Sequence, residues 1–67
     1  MIVFVNNEML QLEQPETIPE VLRRINIPEP KGIAVAVNNM VVAKMDWGKF
    51  TIKENDKVTI IRATQGG

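Results

Sequence analysis

Two adjacent glycines, Gly66 and Gly67, carry the most plausible reactive group of this chain, the carboxylate at the end of the sequence. The chain has no cysteine, histidine or tyrosine. Thiolate nucleophiles, disulfides, the usual zinc clusters and an imidazole proton shuttle are therefore excluded. Neither a Gly-x-Gly-x-x-Gly fingerprint nor a phosphate loop is present. The carboxylates Glu8, Glu13, Glu16, Glu20, Glu29, Asp46, Glu54 and Asp56 are scattered, mostly in turns or beside lysines, and a solvated surface role is expected for them. A terminal carboxylate is fully ionised at neutral pH. It can attack the α-phosphate of ATP to give an acyl adenylate. A sulfur donor then gives a thiocarboxylate, and an amine gives an isopeptide bond. Glycine lacks Cβ, so two in a row make a thin, bendable probe for a narrow active site. At average glycine usage such a pair ends about 0.5% of chains by chance, so the ending needs support from the rest of the sequence.

The elements that must present this group read as one small domain. A chain of 67 residues has room for a single core. Eight basic residues balance eight acidic ones, so no field for gripping nucleic acid or an anionic membrane is expected. The opening Met1-Ile2-Val3-Phe4-Val5 lacks the basic start and apolar core of a signal peptide. No apolar run approaches the roughly 20 residues of a membrane helix. A cytoplasmic location is expected.

Residues 1–5 read as a strand, Asn6-Asn7 as a tight turn, and Met9 to Glu13 as the returning strand. After Gln14-Pro15-Glu16, Thr17 is an N-cap with Glu20 in the capping-box position and Pro19 in the first turn. Ile18, Val21, Leu22 and Ile25 follow helical spacing, which predicts a helix over about 18–26, ended by Pro28 and Pro30. The apolar run Ile33-Ala34-Val35-Ala36-Val37 predicts a strand covered on both faces or in mid-sheet. Asn38-Asn39 turns the chain into Met40 to Ala43. Residues 44–53 read as irregular, with Asp46-Trp47-Gly48 as a turn or a single helical turn and Trp47 packing inward. Glu54-Asn55-Asp56 is a turn, and Lys57 to Thr64 is the last strand. The domain is thus 1–64, with a mobile tail at 65–67.

One helix covers one face of a sheet. If Val3, Val5, Leu10, Leu12, Val58 and Ile60 form the core, then Ile2, Phe4, Met9, Ile61 and Ala63 lie on the open face. An exposed apolar cluster beside the tail suits a partner enzyme's docking surface. Gln65 belongs with it as a tail contact.

The segments Met1 to Glu8, Ile33 to Asn38, Trp47 and Val58 to Gly67 resemble the ThiS-type sulfur carriers of bacterial thiamine thiazole biosynthesis. The most specific pieces are Val35-Ala36-Val37-Asn38 and the closing Arg62-Ala63-Thr64-Gln65-Gly66-Gly67. The resemblance implies an α+β, ubiquitin-like β-grasp: a mixed five-stranded sheet in the order ββαβββ, with one main helix across one face. It implies a carrier with no cofactor of its own and no catalysis of its own. An adenylating enzyme of the ubiquitin-activating type would consume ATP and Mg at Gly67. A sulfurtransferase or cysteine desulfurase would supply sulfur, and thiazole synthase would take it from the Gly67 thiocarboxylate. Asn6-Asn7 and Asn38-Asn39 stand where that family often has Asn-Gly, and Thr64 where a β-branched apolar residue is common. Other β-grasp proteins with the same ending are the small subunit of molybdopterin synthase, which serves molybdenum cofactor synthesis, and ubiquitin-type modifiers. A β-grasp interaction module with an inert tail is the reading from a different class.

Overall fold

The computed structural model describes residues 1–27 and 31–62. Each of the six asparagines in the sequence adopts a positive φ, between 50° at Asn6 and 71° at Asn39. Asparagine tolerates this left-handed region better than other non-glycine residues. Asn6-Asn7 and Asn38-Asn39 both have two successive positive φ values, the requirement of a tight type I′ hairpin turn. They join β1 (Ile2–Val5) to β2 (Glu8–Gln11), and β4 (Ile33–Val37) to β5 (Met40–Val42). The missing second glycine of each turn is thus replaced by a residue that reaches the same conformation.

Between the hairpins lie β3 (Glu16–Thr17) and α1 (Ile18–Arg24). After β5 come a 3₁₀ turn at Lys44–Asp46, β6 (Thr51–Ile52) and β7 (Lys57–Arg62). The main sheet has five strands in the order β2-β1-β7-β4-β5. β7 runs parallel to β1, and the other neighbours are antiparallel. This sheet with one helix on one face is the expected β-grasp, with its main elements in the order ββαβββ. β4 lies inside the sheet rather than under a second layer, because Ala34 on its far side is exposed.

A helix of seven residues has too few internal hydrogen bonds to persist alone. It is held by burying Ile18, Val21 and Leu22 against the sheet. At its start the Glu20 carboxylate accepts the Thr17 backbone N–H at 2.8 Å and the Thr17 hydroxyl at 3.1 Å. Its end lies at Arg24, two residues earlier than the spacing predicts. Ile27 N–H bonds to the Leu22 carbonyl at 2.8 Å and Asn26 N–H to the Arg23 carbonyl at 3.2 Å, with Asn26 at φ 66°. This is a Schellman stop, in which a left-handed residue closes the last carbonyls. The stop is made by Asn26, and Pro28 and Pro30, expected to end the helix, lie outside the described residues.

The core unites Val3, Val5, Leu12, Val35, Val37, Val58 and Ile60 from the sheet side with the helix, Trp47 and Ile52. Leu10 packs partly buried at its margin. Trp47 is 4% exposed, and its indole N–H donates to the Val42 carbonyl at 2.9 Å. The turn expected at Asp46-Trp47-Gly48 is a 3₁₀ turn at Lys44–Asp46 capped by Trp47. The stretch expected to be irregular also contains β6, which pairs with β3 through Glu16–Ile52 and Thr17–Thr51.

Glu16 corrects the expectation of a solvated carboxylate. It is 7% exposed, and the Arg24 guanidinium grips both its oxygens, with Nε 2.7 Å from each. An ionised carboxylate is tolerated at such a position only when paired and hydrogen-bonded. Arg24 is drawn back over β3, and the Glu16 contact raises its pKa further.

Candidate functional site

The last described strand, β7, lies in the middle of the sheet. β7 is bonded on one side to β1 and on the other to β4, where the register runs from Val37–Val58 to Ile33–Arg62. β1 ends before β7 does, and Asn6 fills the gap. Its backbone N–H donates to the Val58 carbonyl at 2.9 Å, and its side-chain Oδ1 accepts the Ile60 N–H at 2.8 Å. A hairpin asparagine thus extends the parallel ladder by one rung, which holds the chain up to the residues before Ala63. Ala63, Gln65, Gly66 and Gly67 themselves lie outside the described residues.

At its other end β7 is fixed with equal care. Lys57 N–H bonds to Asn38 Oδ1 at 3.0 Å, and Asn38 N–H to the Lys57 carbonyl at 2.8 Å. The Asp56 carboxylate accepts from Asn38 Nδ2 at 3.0 Å and from the Lys53 N–H at 2.8 Å. The strand that precedes the Gly-Gly ending is therefore braced by asparagine side chains at Lys57, where it starts, and at Ile60. Sequence reasoning assigned these asparagines to turns alone. The missed signal is that an asparagine at a hairpin still has an amide free to reach the next strand.

On the open face, Phe4 and Met9 are cross-strand partners, and Ile2 lies two residues from Phe4 on the same strand. Met9 is 72% exposed, and Ile2 and Phe4 are half-buried. These three form one apolar patch. Ile61, 49% exposed, is not part of it. Phe4 is level with Lys57 on β7, and Ile61 lies four residues further, about 13 Å along the strand. Exposed Lys57 and Thr59 occupy the face between them. Ile61 instead pairs with Ala34. The expected single cluster is therefore two apolar spots: Ile2, Phe4 and Met9 on the β1–β2 hairpin, and Ile61 with Ala34 at the exit of β7. The parallel offset between β1 and β7 sets this division, and no local pattern encodes it.

Among the described residues there is no group of three or more potential metal ligands and no helix long and apolar enough to cross a membrane. Among the described residues, the geometry provides a strand braced by Asn6 and Asn38 and an apolar patch on the neighbouring hairpin.

The model of the family described as the ThiS family matches residues 2–67. The chain belongs to the ThiS family. It is 22% identical over 67 residues to the sulfur carrier protein ThiS of Escherichia coli (strain K12), covering 100% of both chains. Its fold is similar to the crystal structure of the thiamine biosynthesis protein ThiS from Geobacter metallireducens, with a TM-score of 0.86, 20% identity and full coverage of both chains. The solution structure of a thiamine biosynthesis protein from the same organism matches with a TM-score of 0.78 and 20% identity, covering 100% of this chain and 88% of that one. At such identities the two structures establish the shared β-grasp. The membership rests on the family match, which runs through Gly66-Gly67.

Proposed function

We propose that this ThiS-family chain is a sulfur carrier of thiamine thiazole synthesis, acting in the cytoplasm, with the Gly67 carboxylate as its working group. The observation that carries the reading is the family match through the last residue, on a fold whose central strand leads into the Gly-Gly ending. An adenylating enzyme of the ubiquitin-activating type uses ATP and Mg. One Gly67 carboxylate oxygen attacks the α-phosphorus, and pyrophosphate leaves. A persulfide on a sulfurtransferase or cysteine desulfurase then attacks the acyl carbon and displaces AMP. A thiol cleaves the S–S bond of the resulting acyl disulfide, leaving a thiocarboxylate for thiazole synthase. The protein's own part is to hold β7 rigid, to offer the open face for docking, and to present a backbone free of Cβ at Gly66 and Gly67. The curated relative in Escherichia coli is a sulfur carrier, which supports the reading. The absence of cysteine from this sequence supports it too, since a persulfide cannot form on the chain itself.

Intact mass spectrometry after incubation with the host's adenylating enzyme, ATP-Mg and a sulfur donor tests this. The expected product gains the mass of one oxygen-to-sulfur exchange, localised to Gly67. Deleting Gly67 abolishes the gain and leaves the thermal unfolding curve in place. Conjugates on lysines would instead make the chain a modifier, and no ATP-dependent change would make it an inert module. Restoration of thiamine synthesis, rather than molybdenum cofactor synthesis, in a strain lacking the carrier separates the two sulfur pathways.

A further inference from the structure

The two edges of the main sheet are built differently. On β2 the edge carries Glu8 and Gln11, with Glu13 beyond them. Charges on an edge strand oppose pairing with another chain. On the opposite edge, β5 is Met40-Val41-Val42, and no charged residue occurs between Lys31 and Lys44. Met40 and Val41 are each 72% exposed, and Met45 in the following 3₁₀ turn is 84% exposed.

The backbone of this edge is oriented for pairing. Val37 and Met40 flank a two-residue hairpin turn, so they exchange both hydrogen bonds. The next pair, Ala36–Val41, is then a non-bonded one, and Val41 turns its N–H and C=O away from β4 toward solvent. Among the described residues this edge is unpaired and uncharged, and an edge with its amide presented outward is a template for a further strand.

We propose that this edge is a self-association site, on which a second copy of the chain adds its own β5 antiparallel about a two-fold axis at Val41. Three features favour a second copy as the occupant. The pairing is self-complementary, since Val41 of each copy supplies one donor and one acceptor to the other. In the same register Met40 stands across from Val42 of the second copy, on the helix side of the sheet. There a groove of about 470 Å³ opens beside β5, lined by Val42, Ala43 and Phe50, and a flexible methionine side chain fits such a gap. The groove is also lined by Asp46 and Lys49, one anion and one cation. A two-fold interface presents both charges from both copies, so a patch with one of each sign is complementary to itself. The chain carries no net charge to oppose the approach. The association leaves β7 and the Ile2–Phe4–Met9 patch uncovered, so it does not depend on the carrier reading.

Sedimentation across a concentration series, with amide exchange followed by NMR in the same samples, tests the proposal. The full chain is expected to dimerise at high protein concentration, with exchange at the Val41 N–H slowing as concentration rises. Val41→Lys places two like charges at the axis and should raise the dimer dissociation constant at least about tenfold. Met9→Lys, an equally exposed change on the opposite edge, should leave it within about twofold. A wild-type chain that stays monomeric to about 1 mM overturns the proposal, including the case in which this edge takes only a strand from another protein. A dimer whose Val41 exchange is independent of concentration, or one that Met9→Lys breaks and Val41→Lys spares, overturns it as well. The exchange measurement is made on the unaltered protein, so it holds even where a variant folds poorly.

Discussion

Asn6 Oδ1 accepts the Ile60 N–H at 2.8 Å across a sequence separation of 54 residues. One amide from the first hairpin therefore holds the strand that leads into the C-terminal segment. The same residue sits at φ 50° in a tight turn, so two separate demands meet in one side chain.

Asn6→Ala removes the acceptor and puts a Cβ-bearing residue without a stabilising amide in the left-handed region. The expected loss is roughly 1–3 kcal/mol in urea unfolding. Asn6→Gly keeps the turn and loses only the acceptor, so it should fall short of Asn6→Ala. In both variants exchange at the Ile60 amide should speed up before any other amide of β7. Equal losses in the two variants would show that the turn conformation contributes nothing.

The Glu16–Arg24 pair is asymmetric, because the Glu16 side chain is 8% exposed and that of Arg24 is 46% exposed. Arg24→Ala strands a buried carboxylate, whereas Glu16→Gln leaves a guanidinium that water can reach. Arg24→Ala is therefore expected to cost more, by roughly 1–3 kcal/mol. Chemical denaturation of both single variants and the double variant checks this. A coupling near zero would show that the two groups act independently.

Glu20 sets part of the acid response. The Thr17 backbone N–H, with its hydroxyl second, holds the Glu20 carboxyl below its ordinary value of 4.5. A lowered carboxyl pKa means that its stabilising contribution is fully present above pH 4.5 and is lost as pH falls through the lowered value. Glu20→Gln should flatten this part of the stability–pH curve and leave the shape near neutrality unchanged. Thermal unfolding at pH 3 to 7 (about one-unit steps) reads the difference.

The two apolar spots on the open face make a distinguishable pair. Phe4→Asp and Ile61→Asp should each weaken binding to the adenylating enzyme, by about tenfold or more, without unfolding the domain. The spots lie about 13 Å apart along the sheet, so the two effects should add in the double variant. Titration calorimetry on the three variants tests this. Unchanged binding with Phe4→Asp would remove the β1–β2 hairpin from the docking surface.

Much of this protein is legible in its residues. The β-branched runs, the paired asparagines and the 3.6-residue spacing of Ile18, Val21 and Leu22 determine the hairpins and the helix, because turn conformation and amphipathic burial are local properties. The start of the helix is equally local, since Thr17 and Glu20 are three residues apart. Lack of cysteine and histidine removes thiolate and imidazole chemistry by residue type alone.

Tertiary structure decided what depends on distant partners. Glu16 looks like a surface residue until β6 and Arg24 close over it. Asn6 looks like a turn residue until β7 arrives beside it. Ile61 groups with Phe4 by alternation alone, yet the register of the parallel β1–β7 pair moves it to another part of the face. Alternation fixes which side of a strand a residue faces. How far apart two such residues stand is set by strand order and register, which the chain adopts only when the whole sheet forms.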